Sequence, residues 1–290
     1  MKQEIKVGVI ARVGAHLALQ AAGAREKSAS PKDTPFGKSN PLHIMDLDGI
    51  PFALLSRHGE QAYSTAAPWV NDRANLWALK DAGVEKIVSF SSPGSLVLDV
   101  DAGDLLLPDD VLDDRRAGPF SFFEGRGAGV IRMNEPFCTG LSKAYKASLE
   151  SQGFAPHMGG VYVGTQGPRL ETRAEIRRLR MLGGSVVGMT LVPEVFLARE
   201  LEFCYAGVCL VVNQAEGMKN RPYARGVLFE GLADAEELER VRAMEERAGE
   251  ILAGLVRAAR SYDRSCSCSH VMERYRLRGD LSEDWRRWWD

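Results

Sequence analysis

The sequence is short of several things, and each shortage narrows what it can be. No apolar run approaches the ~18 residues that a bilayer-spanning helix needs. Cysteine is scarce, five in 290 residues, too few for a disulfide-built scaffold. Cys138, Cys204 and Cys209 lie in apolar surroundings and read as core residues. Neither sign of charge is in excess: 37 basic against 39 acidic side chains leaves a net charge of −2. That balance excludes a general electrostatic hold on nucleic acid, and the pairs Arg177-Arg178 and Arg286-Arg287 are too short to make a local one. His16, His43, His58, His157 and His270 show no metal-ligand spacing, so no metal is expected. Met1–Glu4 runs straight into an apolar segment without the longer apolar core of a secretory signal, so a cytoplasmic protein with no membrane partner is expected.

What is present is a core-building chain, 45% apolar with only 13 prolines. Lys6–Ile10, Ile50–Ser56, Lys86–Phe90, Asp104–Leu107, Gly160–Val163, Ser185–Met189 and Gly207–Val212 read as strands. Val70–Ala82, residues 140–152, Leu170–Leu182, Pro193–Leu201 and one long segment, Ala235–Arg260, read as helices. Residues 112–129 form the longest expected loop, and the tail from Ser261 reads as irregular. This alternation predicts an α/β fold on a largely parallel or mixed sheet. A single domain over residues 1–260 is expected, followed by an extension over 261–290. In such sheets ligands gather at the carboxyl ends of strands. Ala11–Gly14, Arg57–Gly59, Ser91–Ser95, Met189–Thr190 and Asn213 are therefore expected to share one site.

Several stretches are closely similar to the trimeric nucleoside phosphorylase family, which comprises purine nucleoside and methylthioadenosine phosphorylases. They are Asp33–Lys38, Arg57-His58-Gly59, Val70–Lys80, Gly94-Ser95-Leu96 with Gly103-Asp104, Thr165–Glu175, Gly188–Glu194 and Asn213. The resemblance runs in order from about residue 5 to 258. It implies a mixed, partly barrel-like central sheet flanked by helices, and a homotrimer or a hexamer made of two trimers. The implied reaction is phosphorolysis, in which phosphate displaces a purine from C1′ of a ribonucleoside, with no cofactor beyond inorganic phosphate as co-substrate.

By the same resemblance, Glu171 and Asn213 face the purine, with Leu170 on its ring face and Met189 against the sugar. An asparagine amide can accept from a purine N7–H and donate to O6, so Asn213 with Glu171 points to a 6-oxopurine. The resemblance does not choose between a 5′-hydroxyl and a 5′-methylthio substituent.

The phosphate region departs from the family. Its Gly-Gly-Thr/Ser-Gly turn is Ala11-Arg12-Val13-Gly14 here, and its Arg-Gln-His is Glu60-Gln61-Ala62. Arg57, His58, Ser91, Ser92 and Thr190 are the implied phosphate ligands. Arg12 is expected either to join them or, the favoured reading, to pair with Glu60 and fill the anion site. Two alternatives follow, a phosphate-independent nucleosidase and a non-catalytic nucleoside-binding homologue. Cys266-Ser-Cys268 matches a C-x-C pair linked to disulfide chemistry in some microbial methylthioadenosine phosphorylases. Two thiols alone cannot close a zinc site.

Overall fold

Val7–Ala11 (β1) is a run of five buried residues held between two parallel neighbours, Ile50–Ser56 and Lys86–Ser91. Strands covered on both faces lose the polar alternation of a surface sheet, which explains the continuous apolar pattern here. The computed structural model describes residues 4–60, 63–221 and 225–289. After β1 come α1 (Ala15–Ala21), β2 (Arg25–Ser30), β3 (Asp33–Thr34), β4 (Gly37–Lys38), β5 (Leu42–Leu47) and β6 (Ile50–Ser56). The middle of the chain holds α2 (Asp72–Asp81), β7 (Lys86–Ser91), β8 (Gly94–Ser95), β9 (Leu105–Leu107), β10 (Asp110–Asp113) and α3 (Thr139–Ser151). Then follow β11 (His157–Met158), β12 (Val161–Gly164), α4 (Arg173–Met181), β13 (Gly184–Gly188), α5 (Leu191–Glu200), β14 (Cys204–Leu210) and β15 (Asn213–Gln214). The last helices are α6 (Ala235–Glu246), α7 (Ala248–Ser261) and α8 (Glu273–Leu277).

The larger sheet has the order β11-β9-β14-β7-β1-β6-β5-β2, and the smaller one β10-β12-β13-β8-β15. Both are mixed: β14, β7, β1 and β6 run parallel, while β9, β5 and β2 join antiparallel. One core layer lies between the larger sheet and the helices α1, α3 and α7. A second holds Leu76 and Leu79 of α2, Val195 and Leu197 of α5, and part of the C-terminal segment. The fold is thus the expected mixed α/β arrangement. No helix among the described residues is long and apolar enough to cross a membrane.

Four features differ from the sequence reading. Residues 15–47 carry α1 and an antiparallel edge, β2 and β5, that had no expected elements; β2 is exposed throughout, so its pattern carries no burial signal. Residues 110–113, at the start of the expected loop, form the short strand β10. The expected single helix over Ala235–Arg260 is two, divided at Arg247. The reason is contact: a Cβ on Gly249 would lie 2.1 Å from the Ala18 carbonyl oxygen, so α7 seats its first turn directly on α1. The tail is not irregular either. It forms α8 and buries Met272, Tyr275 and Trp288, and Trp289 joins Phe36 and Phe122 with ring centroids 5.3 Å from each.

Candidate active site

At the carboxyl ends of β1, β6, β7 and β14 and beside β13 lies a cavity of about 400 Å³. Arg12, Arg57, His58, Ser91, Ser92 and Thr190 line one part of it, and Leu170, Glu171, Met189 and Asn213 another. The ten residues that sequence analysis assigns to base, sugar and phosphate therefore line one space. The parallel strands account for it, since β1, β6, β7 and β14 all end on the same edge.

The two arginines that line the cavity are each paired with a carboxylate. Arg57 is buried and presents Nε to Glu194 Oε2 at 2.9 Å and Nη2 to Glu194 Oε1 at 3.2 Å. Its Nη2 also donates to Ser89 Oγ at 2.7 Å, and Tyr205 OH donates to Glu194 Oε1 at 2.6 Å. Arg12 does not pair with Glu60. It pairs with Glu245 of α6, while Glu60 pairs with Nε2 of His43, which also meets Glu26 through Nδ1 at 2.9 Å. The favoured expectation for Arg12 is thus overturned. α6 brings its own carboxylate to the guanidinium, and β5 brings His43 to Glu60. Gln61 and Ala62 lie outside the described residues.

His58 Nδ1 donates to the Thr65 carbonyl at 3.0 Å. Burial, with the adjacent Arg57 charge, pushes the ring down to about 4, so it is neutral at pH 7 and its Nε2 carries a lone pair. Ser91 Oγ and Thr190 Oγ1 are 2.7 Å apart, and Tyr162 OH stands 3.2 Å from Thr190 Oγ1 while accepting from the Thr190 N–H at 3.1 Å.

The other part of the cavity is built around Asn213, which is 4% exposed. Among the described residues no hydrogen bond to its carboxamide is seen, and the amide lines the cavity, where a ligand can meet it. It rests on Gly94, where a Cβ would lie 2.8 Å from Asn213 Oδ1. Glu171 precedes α4 and accepts from Thr165 Oγ1 at 2.6 Å. The α4 start uses Thr172 and Glu175 as a reciprocal cap, so Glu171 is not needed there.

Sequence reasoning missed the layer behind these residues: Glu194, Ser89, Tyr205 and Asp72. Glu194 closes the Gly188–Glu194 stretch and carried a signal; Ser89 and Tyr205 look like ordinary strand residues. Asp72 is buried at the start of α2, and burial followed by the Glu194 charge pushes it up to about 8.

A sequence model of the phosphorylase superfamily matches residues 6–259. The chain belongs to that superfamily. Among its relatives is the probable S-methyl-5′-thioinosine phosphorylase of Methanothermobacter thermautotrophicus, 37% identical over 82% of this chain and 79% of the relative. Another superfamily relative, the 6-oxopurine nucleoside phosphorylase of Pyrococcus furiosus, is 37% identical over 71% of this chain and 80% of its own. The methylthioadenosine phosphorylase of Schistosoma mansoni, solved in complex with adenine, superposes with a TM-score of 0.80 at 26% identity, over 93% of this chain and 98% of that one.

Proposed function

We propose that this chain is a purine nucleoside phosphorylase that cleaves the N-glycosidic bond of a 6-oxopurine ribonucleoside with phosphate. The observation that carries the reading is the buried Asn213 amide, without a hydrogen-bond partner among the described residues, lining the same cavity as Glu171. As the glycosidic bond breaks, electrons flow into the purine and the ribosyl ring becomes oxocarbenium-like. Asn213 Oδ1 accepts from N7–H and its Nδ2 donates to O6, so charge on the departing base meets preorganised dipoles. Glu171 holds the far edge of the base, Leu170 its face, and Met189 the sugar. Two relatives named for 6-oxopurine substrates support the same choice of base.

Arg12, Arg57, His58, Ser91, Ser92 and Thr190 form the proposed phosphate cradle. Arg57 is locked to a buried carboxylate, so its charge is spent. Arg12 and Glu245 keep 38% and 32% of their side chains exposed, so phosphate can take the place of Glu245 on that guanidinium. No cofactor enters the scheme. The proposed assembly is a homotrimer or hexamer, and the proposed location the cytoplasm.

A second reading, base release by water, draws on one observation: both arginines lining the cavity already have carboxylate partners. Inosine, guanosine, adenosine, methylthioinosine and methylthioadenosine, each assayed with and without phosphate, separate the readings. Phosphate-stimulated release from the 6-oxopurine nucleosides is expected. Release unaffected by phosphate supports a nucleosidase, and binding without turnover supports a non-catalytic homologue.

A further inference from the structure

Cys138 stands at the cap before α3, Cys204 opens β14, and Cys266 and Cys268 lie just beyond α7. They are far apart in sequence, yet their four sulfurs all lie within 4.8 Å of one another. Cys204 Sγ and Cys266 Sγ are 3.3 Å apart, and all four are free thiols. Cys138 and Cys204 are buried in the core, as expected, and the C-x-C pair lies against them. We propose that these four cysteines bind one zinc ion, which fastens the C-terminal segment to the sheet.

Number and spacing both fit. Structural zinc takes four ligands in a tetrahedron, and a Zn–S bond of about 2.3 Å places neighbouring sulfurs about 3.8 Å apart. The observed spread, from 3.3 Å to 4.8 Å at most, brackets that edge. Three of the sulfurs are buried and Cys266 is part-exposed, which leaves an entry path.

Charge fits independently. Four thiolates around a divalent ion carry two negative charges, and two guanidiniums face them. Arg264 Nε donates to Cys204 Sγ at 3.3 Å and Arg199 Nη1 to Cys268 Sγ at 3.1 Å. Arg199 is the telling one: it is buried, it cannot shed its proton, and among the described residues no carboxylate lies within ion-pair reach of it. A buried cation needs an anion, and sulfur is what the structure offers. On binding, the thiols release their protons to solvent and no electron is transferred.

Cys209 provides the internal control. It lies five residues after Cys204, so it points to the opposite face of β14, and it packs in the other core layer. The test uses the full chain, purified with reductant, loaded with Zn²⁺ and freed of excess by gel filtration. One zinc per chain by elemental analysis is expected, with four thiols shielded from a thiol reagent until a chelator is added. Co²⁺ in its place is expected to show thiolate-to-metal charge-transfer absorption. Cys266→Ser and Cys268→Ser are each expected to lower zinc affinity more than tenfold, and Cys209→Ala to leave it unchanged. A reduced wild-type chain that retains no zinc above the buffer background, or four thiols already joined as disulfides in fresh protein, overturns the proposal.

Discussion

Arg57 and Glu194 form a two-pronged ion pair, at 2.9 Å and 3.2 Å, with 3% and 2% of their side chains exposed. Ser89 and Tyr205 complete the carboxylate's shell. The pair fixes Arg57 at the cavity wall and removes its charge from use. Cutting one member of such a pair strands the other without solvent, at a cost of about 3–5 kcal/mol. Glu194→Gln should therefore lower the unfolding free energy measured in urea by that order and reduce turnover. Unchanged stability in urea would show that Arg57 finds another partner.

Arg12 is held in a half-exposed pair that can exchange. Glu245→Gln removes its competitor and should lower the KM for phosphate several-fold with kcat little changed. Arg12→Ala should raise that KM by roughly tenfold, equivalent to ~1.4 kcal/mol. Phosphate saturation curves at fixed inosine read both; a KM untouched by either change removes Arg12 from the cradle.

The convergence of five strand ends was legible in sequence because buried parallel strands announce themselves by continuous apolar runs, and their ends by Arg57-His58-Gly59 or Ser91-Ser92. Asn213 and Glu171 were legible through the stretches around them. What sequence could not give was pairing across distance. Glu245 lies on a charged helix face and looks like its neighbours, and His43 sits in β5, a strand that its sequence did not announce; only the fold sets them against Arg12 and Glu60. Cys138 and Cys204 were hidden for the same reason, since a cysteine in an apolar run looks alike whether or not three others await it.

Base choice is tested at Asn213. Asn213→Asp replaces the amide donor by an acceptor, which repels O6 and can accept from a 6-amino group. The ratio of kcat/KM for inosine over adenosine should fall by roughly five- to 150-fold, from a loss of about 1–3 kcal/mol. A wild type that already prefers adenosine contradicts the assignment.

Gly94 makes room for that amide by having no side chain. Gly94→Ala places a Cβ 2.8 Å from Asn213 Oδ1, and that side-chain end can move. Stability should change by less than ~1 kcal/mol while kcat/KM for inosine drops. A drop in melting temperature with unchanged kinetics would place the strain in the backbone instead.

Asp72 sets a pH dependence. Its folded pKa of about 8 lies above the ordinary 3.8, chiefly through burial, so the native state keeps a proton that the unfolded chain loses. Stability from this group is full below about pH 4 and declines as pH rises through 8. Glu200, pushed up to about 7 by burial, acts in the same direction. Urea midpoints measured from pH 5 to 9 should fall, and Asp72→Asn should flatten the slope. An equal slope in the variant assigns the effect elsewhere.

The central claim is phosphorolysis at the Asn213 cavity, and the identity of the sugar product tests it most directly. Phosphorus NMR of enzyme with inosine and phosphate should show ribose 1-phosphate growing in step with hypoxanthine. Free ribose with an unchanged phosphate signal would contradict it.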